Sequence, residues 1–91
     1  MKSEQKKQLR ARAHALKPVV ITGQAGLTPA VLSEINLALE HHELIKVRIN
    51  ADDREMRKEM AQQICSDLGA DLVQSIGHIV TLYRKRPEQK S

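Results

Sequence analysis

The residues best suited to chemistry in this chain form a turn with two glycines, Gly23 and Gly26, directly after the apolar run Val19–Ile21. Thr28 and Pro29 follow, and these are favourable residues for a helix N-cap and a first helical position. Glycine lacks a Cβ, so another molecule can approach the backbone closely. Helix N-termini carry unpaired N–H groups and attract anions. The spacing therefore predicts a phosphate contact at this turn.

The turn does not match the loops that bind nucleotide cofactors. A Walker A loop continues as Gly-Lys-Ser/Thr, and a dinucleotide fingerprint has a third glycine. Neither pattern follows Gly26, so we expect no nucleotide cofactor. A Gly-x-x-Gly loop that clamps nucleic-acid backbone is the device of KH domains. Those loops join two helices, whereas this one joins a predicted strand to a helix, so the shared feature is physical.

Charge is distributed unevenly along the 91 residues, whose formal net charge is +4. Residues 1–17 carry six Lys or Arg and one Glu, and residues 84–91 carry four Lys or Arg and one Glu. The middle of the chain, residues 18–83, has a net charge of −4. Basic ends on an acidic middle indicate a polyanionic partner that meets particular surfaces. Solubilising tails on an ordinary domain are the alternative interpretation.

Four cations close to the turn, or on predicted strands beside it, are candidates for the same surface: Lys17, Lys46, Arg48 and Arg84. Tyr83 is the one aromatic residue among Phe, Trp and Tyr, and we expect it to pack on the sheet. Base stacking on an aromatic platform is therefore not expected. Recognition would depend on phosphates, sugars and shape, and it would weaken strongly with salt.

Metal binding and catalysis have little support in the sequence. His14, His41, His42, His78 and Cys65 show no metal-ligand spacing. We expect His42 to be half-buried or to cap a helix, and Cys65 to fill the core. No nucleophile has a suitable base nearby, and helix capping accounts for the paired carboxylates at 52 and 53. The sequence predicts a protein that is not an enzyme and needs no cofactor or metal.

The first half of the chain predicts two helices and two strands. Residues 4–14 form a helix with Ser3 as N-cap and Leu9, Ala13 and Leu16 on its apolar side. Residues 19–21 form a short buried strand, and residues 29–42 form an amphipathic helix that leaves Leu37 partly exposed. Residues 44–50 alternate as a strand, with Lys46 and Arg48 on its polar face.

The second half predicts one helix and a hairpin. Asp52 and Glu55 resemble a capping box, Met56 to Leu68 repeat apolar residues every four positions, and Gly69 suits the helix end. Residues 72–76 and 79–83 are strands around Gly77-His78, a two-residue hairpin signal. The order α-β-α-β-α-β-β predicts an α/β fold: a two-layer sandwich with a four-stranded mixed sheet, three helices and the helices mainly on one side.

The chain predicts a single domain over residues 1–91, with a core at about 5–86 and a basic tail at 85–91. It contains no apolar run of roughly 18 residues that would cross a membrane, and no apolar run follows the N-terminal charges as in a secretory signal. With one unpaired cysteine, these features predict a cytoplasmic protein with no membrane partner. We expect it to act as a monomer.

Several segments together resemble a known family, the CRM (chloroplast RNA splicing and ribosome maturation) domain, and specifically its stand-alone bacterial YhbY type. The matching segments are 13–28, which include Gly23, Gln24, Ala25 and Gly26, then 38–47, 68–70, 74–78 and 82–84. The resemblance covers residues 5–86 in the same order.

This resemblance implies a four-stranded mixed sheet similar to the C-terminal domain of translation initiation factor three. It also implies RNA binding at Gly23, Gln24, Ala25 and Gly26 with the neighbouring basic surface, and association with ribosomal RNA in precursors of the large ribosomal subunit. Because Gln24 and Ala25 are uncharged, affinity would come from Lys17, Lys46, Arg48 and Arg84, with the basic ends as auxiliary contacts. The alternative is an interaction module that docks on an acidic, ribosome-associated protein.

Overall fold

Seven elements follow one another in the predicted order. The computed structural model describes residues 2–23 and 26–85. Its elements are α1 (Ser3–Ala13), β1 (Pro18–Ile21), α2 (Pro29–His42), β2 (Leu44–Arg48), α3 (Arg54–Leu68), β3 (Asp71–Ile76) and β4 (Ile79–Tyr83). The predicted strand and helix types are therefore confirmed, and their ends shift by no more than two residues.

The four strands form one mixed sheet in the order β1-β2-β4-β3. β1 pairs in parallel with β2, while β4 runs antiparallel to both β2 and β3. The hairpin between β3 and β4 turns at Gly77, whose φ of 57° favours glycine. These features confirm the predicted α/β fold with a four-stranded mixed sheet and three helices.

One face of the sheet, which we call the α2/α3 face, carries the main core. Ile45, Val47 and Ile49 alternate onto this face and are almost fully buried, together with Val80 and Leu82 of β4. Ile35 and Leu39 of α2 and Ala61 and Ile64 of α3 pack against them. The strict alternation in β2 thus buries one side of the strand beneath two helices.

The opposite face, which we call the α1 face, is covered only at one end. There Leu9 and Ala13 of α1 pack on Leu44 and Val73, with Tyr83 beside them. The rest of this face carries Lys46 and Arg48. α2 and α3 therefore share one face of the sheet, and the short helix α1 lies on the other. This agrees with the prediction that the helices lie mainly on one side.

Helix capping corrects two details of the sequence prediction. Lys2, not Ser3, occupies the N-cap position of α1, and no side chain caps that helix. At α3 the cap is Asp53 rather than Asp52, because the Asp53 carboxylate accepts the Glu55 N–H at 3.0 Å. Thr28 caps α2 and Gly69 ends α3 in the left-handed conformation, as predicted.

Five residues predicted in or near the core lie at the surface. The strand at 19–21 was predicted to be buried, but Val19 and Ile21 are 53% and 58% exposed because β1 is an edge strand and only Val20 faces the core.

Leu16 follows the end of α1 and keeps 36% of its surface exposed, since Pro18 starts β1 before another helical turn can form. Met56 lies in the first turn of α3 and is 52% exposed. His42 is exposed, and the cap of α2 is Glu43 instead. Leu37 is 51% exposed, as predicted.

Candidate nucleic-acid interface

The glycine turn closes on itself by a backbone hydrogen bond. The Gly26 N–H donates to the Gly23 carbonyl oxygen at 3.1 Å, and Gly26 has a φ of 78°. The predicted contact residues Gln24 and Ala25 lie outside the described residues. The two glycines thus hold the ends of a tight turn at the place where β1 leads into α2.

The two glycines differ in what the fold requires of them. Gly26 has a positive φ, which costs other residues about 1–2 kcal/mol. Gly23 is not among the residues with positive φ, and among the described residues other than its chain neighbours a Cβ built on it would meet no atom within 4 Å. Within residues 2–23 and 26–85, neither a positive φ nor crowding therefore requires glycine at position 23, and the missing Cβ leaves room for a partner to approach the backbone.

A buried threonine fixes the start of the turn to the sheet. Thr22 has no exposed surface, its N–H donates to the Arg48 carbonyl at 2.9 Å, and its Oγ1 accepts the Asn50 N–H at 3.0 Å. These two bonds attach the chain just before Gly23 to the end of β2. The turn is therefore positioned by the sheet and not only by its own hydrogen bond.

The N-terminus of α2 offers few free donors. Pro29 has no N–H, and the Val31 N–H is taken by the Thr28 hydroxyl at 3.2 Å. Among the first three helical positions, at most the Ala30 N–H can reach a ligand. The helix dipole still favours an anion there, but direct donors must come mainly from the turn and from side chains.

Arg48 lies beside the turn on the α1 face. It pairs with Ile21, the last residue of β1, and its Nε donates to the Asn50 Oδ1 at 3.1 Å. Lys46 lies two residues earlier on the same face, opposite Pro18 and Thr81. Of the predicted cations, Arg48 is thus near the turn, and Lys46 continues the line of positive charge along β2.

The packing of α1 brings further cations to this face. Lys6, Lys7, Arg10 and Arg12 belong to α1, which carries one acidic residue, whereas α2 and α3 together carry three basic and five acidic residues. The two faces of the sheet therefore differ in charge. A polyanion is attracted to the α1 face rather than to the α2/α3 face.

Lys17 lies at the other end of β1. It directly precedes Pro18, which pairs with Lys46, whereas the turn follows Ile21. Gly23 lies six positions after Lys17, or roughly 20 Å away at the usual rise per residue of a strand. The structure therefore does not bring Lys17 next to the glycine turn, although both lie along the same edge strand.

Arg84 occupies a different environment from the other predicted cations. Its guanidinium donates to the Asn36 side-chain oxygen at 2.8 Å, to the Leu68 carbonyl at 2.9 Å and to the Asn36 carbonyl at 3.2 Å. These bonds join α2 to the C-terminal end of α3, where cations are favoured. The arginine is partly buried and three of its hydrogen bonds are made within the fold, so fewer of its donors remain for a ligand than at Arg48.

Other chemistry receives no support within residues 2–23 and 26–85. No group of three or more His, Cys, Asp or Glu side chains in these ranges is arranged to hold a metal ion. Burial, with a smaller contribution from Asp71, raises the pKa of the Cys65 thiol, which disfavours the reactive thiolate. None of the helices in the same ranges is both long enough and apolar enough to span a bilayer.

Sequence reasoning missed the residues that position the site. Thr22 and Asn50 join the turn to β2, and the His78 Nδ1 lies 3.1 Å from the Ile49 carbonyl in the neighbouring hairpin. A polar residue that directly follows a β-branched run, as Thr22 does, was the available signal. The partner at position 50 could not be identified, because the contact depends on how β1 and β2 align.

The architecture and the charged α1 face define an α/β domain whose class can be compared with known families. A family model of the CRS1/YhbY (CRM) domain matches residues 1–84. The chain therefore belongs to the CRM domain family, as its resemblance implied.

Three similar proteins match this chain over most of their own length. A Haemophilus influenzae protein named RNA-binding protein is 47% identical over 90 residues, which cover 99% of this chain and 91% of that protein. The Pseudomonas aeruginosa protein named Probable RNA-binding protein PA4753 is 46% identical over 85 residues, covering 93% and 82%. The solution structure of hypothetical protein SAV1595 from Staphylococcus aureus is 32% identical, with a TM-score of 0.86 and coverage of 99% and 94%.

Proposed function

We propose that this protein binds RNA and acts by binding rather than by catalysis. The contact surface consists of the turn at 23–26, the N-terminus of α2, and Lys46, Arg48 and the α1 cations on the α1 face. The observation that carries the proposal is the glycine at position 23, which neither a positive φ nor a described neighbour requires, and which follows Thr22, the residue bonded to the Arg48 carbonyl. The names of the Haemophilus and Pseudomonas relatives support RNA as the partner.

RNA phosphate would meet backbone and cations at this surface. Because Gly23 has no Cβ, one RNA phosphate can come close to the backbone N–H groups of the turn. The exposed Arg48 guanidinium reaches the next phosphate. An arginine can donate two parallel hydrogen bonds to a phosphate. Because such contacts release counterions, log affinity should fall with log salt by about 0.7 for each phosphate neutralised on single-stranded RNA.

We also propose that the RNA is ribosomal and lies in precursors of the large subunit. The support is the family's stand-alone bacterial type, which the sequence resembles over nearly its full length. The proposed surface consists of backbone donors and cations. Among the described residues of the α1 face, Tyr83 is the only aromatic side chain, and it packs against α1. Such a surface suits folded RNA that is recognised by its shape and phosphate positions.

The turn's role is tested by the double substitution Gln24→Asp and Ala25→Asp. Two added carboxylates would repel phosphate directly at the turn, so affinity for a structured ribosomal RNA fragment should fall by at least tenfold. The measurement is fluorescence anisotropy at several salt concentrations, with circular dichroism to show that the fold is kept. Unchanged affinity in the folded variant would disprove the turn's role.

A matched control places the same charge elsewhere. Gln62→Asp and Ser66→Asp add two carboxylates on exposed positions of α3, on the α2/α3 face. This variant has the same net charge as the turn variant, so it measures the general effect of lowering the net charge. The proposal expects it to bind RNA with several-fold higher affinity than the turn variant.

The ribosomal assignment is tested by sedimentation. The tagged protein should co-sediment with precursors of the large subunit from cell lysate and should be released by high salt or complete RNA digestion. Association that survives complete digestion of the RNA would instead support docking on an acidic protein partner.

A further inference from the structure

A second recess lies at the opposite end of β1 from the glycine turn. Its volume is about 380 Å³, within the range of roughly 300–1,000 Å³ typical of ligand sites. It is enclosed by the segment that follows α1, the start of β1, the start of β2 and the end of α2. We call it the β1 recess.

Its walls are apolar and remain exposed. Leu16, Pro18 and Val19 line the β1 recess, and Val19 is 53% exposed. The pairing of β1 with β2 shifts register between Pro18 and Val20, so Val19 lies in a bulge of the edge strand. Bulges redirect side chains and recur beside functional sites. The recess thus holds an apolar surface that the fold leaves open to solvent.

Its rim is cationic. Arg12, Lys17 and His42 line the same recess, and none of the described lining residues carries a carboxylate. Within the described part of the chain, no hydrogen bond or ion pair occupies the side chains of Arg12 and Lys17. Apolar walls with an unneutralised positive rim suit a ligand with a flat apolar part and an attached anion.

The β1 recess and the glycine turn are joined by one strand. Pro18 and Val19 line the recess, while Ile21, which is 58% exposed, leads to Thr22 and the turn. Val19 and Gly23 are four positions apart, or roughly 13 Å at the rise of a strand, which is within reach of the stretch of about four nucleotides that a Gly-x-x-Gly loop clamps in KH domains. A strand of RNA held at the turn can therefore extend to the recess.

We propose that the β1 recess binds one unstacked nucleotide of the RNA. The base lies against Leu16, Pro18 and Val19, the Arg12 guanidinium stacks on the base or pairs with phosphate, and Lys17 contacts the phosphate. Apolar and guanidinium surfaces can hold a base where aromatic residues are absent. The proposal rests on the RNA binding proposed above and adds a nucleotide subsite to it, and it gives a role to Lys17.

The test combines an altered protein with an altered RNA. In Val19→Asp the added carboxylate lies in the recess, repels phosphate and is a poor surface for a base. Affinity for the RNA fragment should fall about tenfold. Leu37→Asp is the matched control, because Leu37 is 51% exposed, lies on α2 outside the recess, and undergoes the same chemical change. Both variants are checked for folding by thermal melts.

The altered RNA replaces one nucleotide at a time by an abasic residue. One position should lower wild-type affinity about fivefold or more, because the abasic residue removes the base that contacts Leu16, Pro18 and Val19. The same replacement should have little further effect on Val19→Asp. Adenosine 5′-monophosphate added to the wild type should shift the amide NMR signals of Leu16, Lys17, Val19 and His42.

The outcomes separate the two proposals. If the wild type binds RNA in a turn-dependent manner but Val19→Asp equals Leu37→Asp and no abasic position matters, the subsite is disproved and RNA binding stands. If the wild type does not bind RNA at all, the proposed function fails. Binding of an acidic peptide in the recess, with no effect of any abasic position, would assign the recess to a protein partner instead.

Discussion

The two ends of the sheet use arginine in opposite ways. At the end near the glycine turn, Arg48 is exposed, and its one side-chain hydrogen bond to a described residue runs from its Nε to Asn50. At the other end, Arg84 donates three hydrogen bonds to Asn36 and Leu68 and is partly buried. Both arginines lie at or just beyond the end of a strand. The donors of Arg48 are thus largely available to a ligand, whereas those of Arg84 bind groups within the fold.

The difference comes from the acceptors that surround each guanidinium. Arg84 lies where the last carbonyls of α3 have no helical partner and need a donor. Arg48 lies on the α1 face beyond the part that α1 covers, where the sheet offers no comparable set of carbonyls. A cation on a strand therefore marks a binding surface only if the neighbouring elements leave its donors unused.

Removing Arg84 should have the largest effect on stability. Arg84→Ala leaves the Asn36 and Leu68 oxygens without their charged donor, and such bonds contribute about 1.5–3 kcal/mol. We expect the melting temperature to fall by roughly 10 °C or more, measured by circular dichroism. RNA affinity of the folded fraction should stay within about twofold, and a tenfold loss there would place Arg84 in the binding surface after all.

Thr22→Val tests the attachment of the turn. Valine has nearly the same shape but cannot accept the Asn50 N–H, and an unpaired buried donor costs about 1–3 kcal/mol. We expect a loss of stability near the lower part of that range and a several-fold loss of RNA affinity. Thr22→Ser retains the acceptor and should recover the affinity. If Thr22→Ser binds as weakly as Thr22→Val, the hydroxyl bond does not position the turn.

Arg48→Ala should give the reverse of the Arg84 result. Its side chain is exposed, so the free energy of unfolding should change by less than about 0.5 kcal/mol. RNA affinity should fall about tenfold, with the salt slope lowered by about one phosphate contact. Chemical denaturation and anisotropy titrations at three salt concentrations measure both. Normal RNA affinity in this variant would contradict the proposed contact.

The smallest effects separate the two glycines. Gly26→Ala should destabilise the fold by about 1 kcal/mol, because its φ is positive. Gly23→Ala should leave the free energy of unfolding unchanged or raise it slightly, since alanine lowers the conformational entropy of the unfolded chain. The same substitution should lower RNA affinity a few-fold. Gly69→Ala, at the far end of α3, controls for a strained position away from the turn. Loss of stability without loss of binding in Gly23→Ala would remove the argument for a partner at this position.

Much of the local structure could be predicted from sequence because it depends on neighbouring residues. The alternation of Ile45, Val47 and Ile49 determined which side of β2 is buried, and Thr28-Pro29 determined where α2 begins. The cap of α3 was placed one residue away because Asp52 and Asp53 are equally suitable residues. The N-cap of α1 was also placed one residue away, at Ser3, because the helix begins at Ser3 itself and no side chain caps it. Met56 was assigned to the core because it fits the four-residue apolar repeat of α3. Periodicity does not show whether the first turn of a helix is covered, and Met56 is exposed.

What the sequence determined by itself was the order of elements, the buried face of each, the glycine turn and the family. Only the tertiary structure decided which cations share a surface. α1 packs on the face that carries Lys46 and Arg48, Lys17 lines a separate recess, and Arg84 joins α2 to α3. These relations depend on strand order, register and helix docking, which bring together residues up to 48 positions apart, and no local pattern of residue types encodes such a pairing.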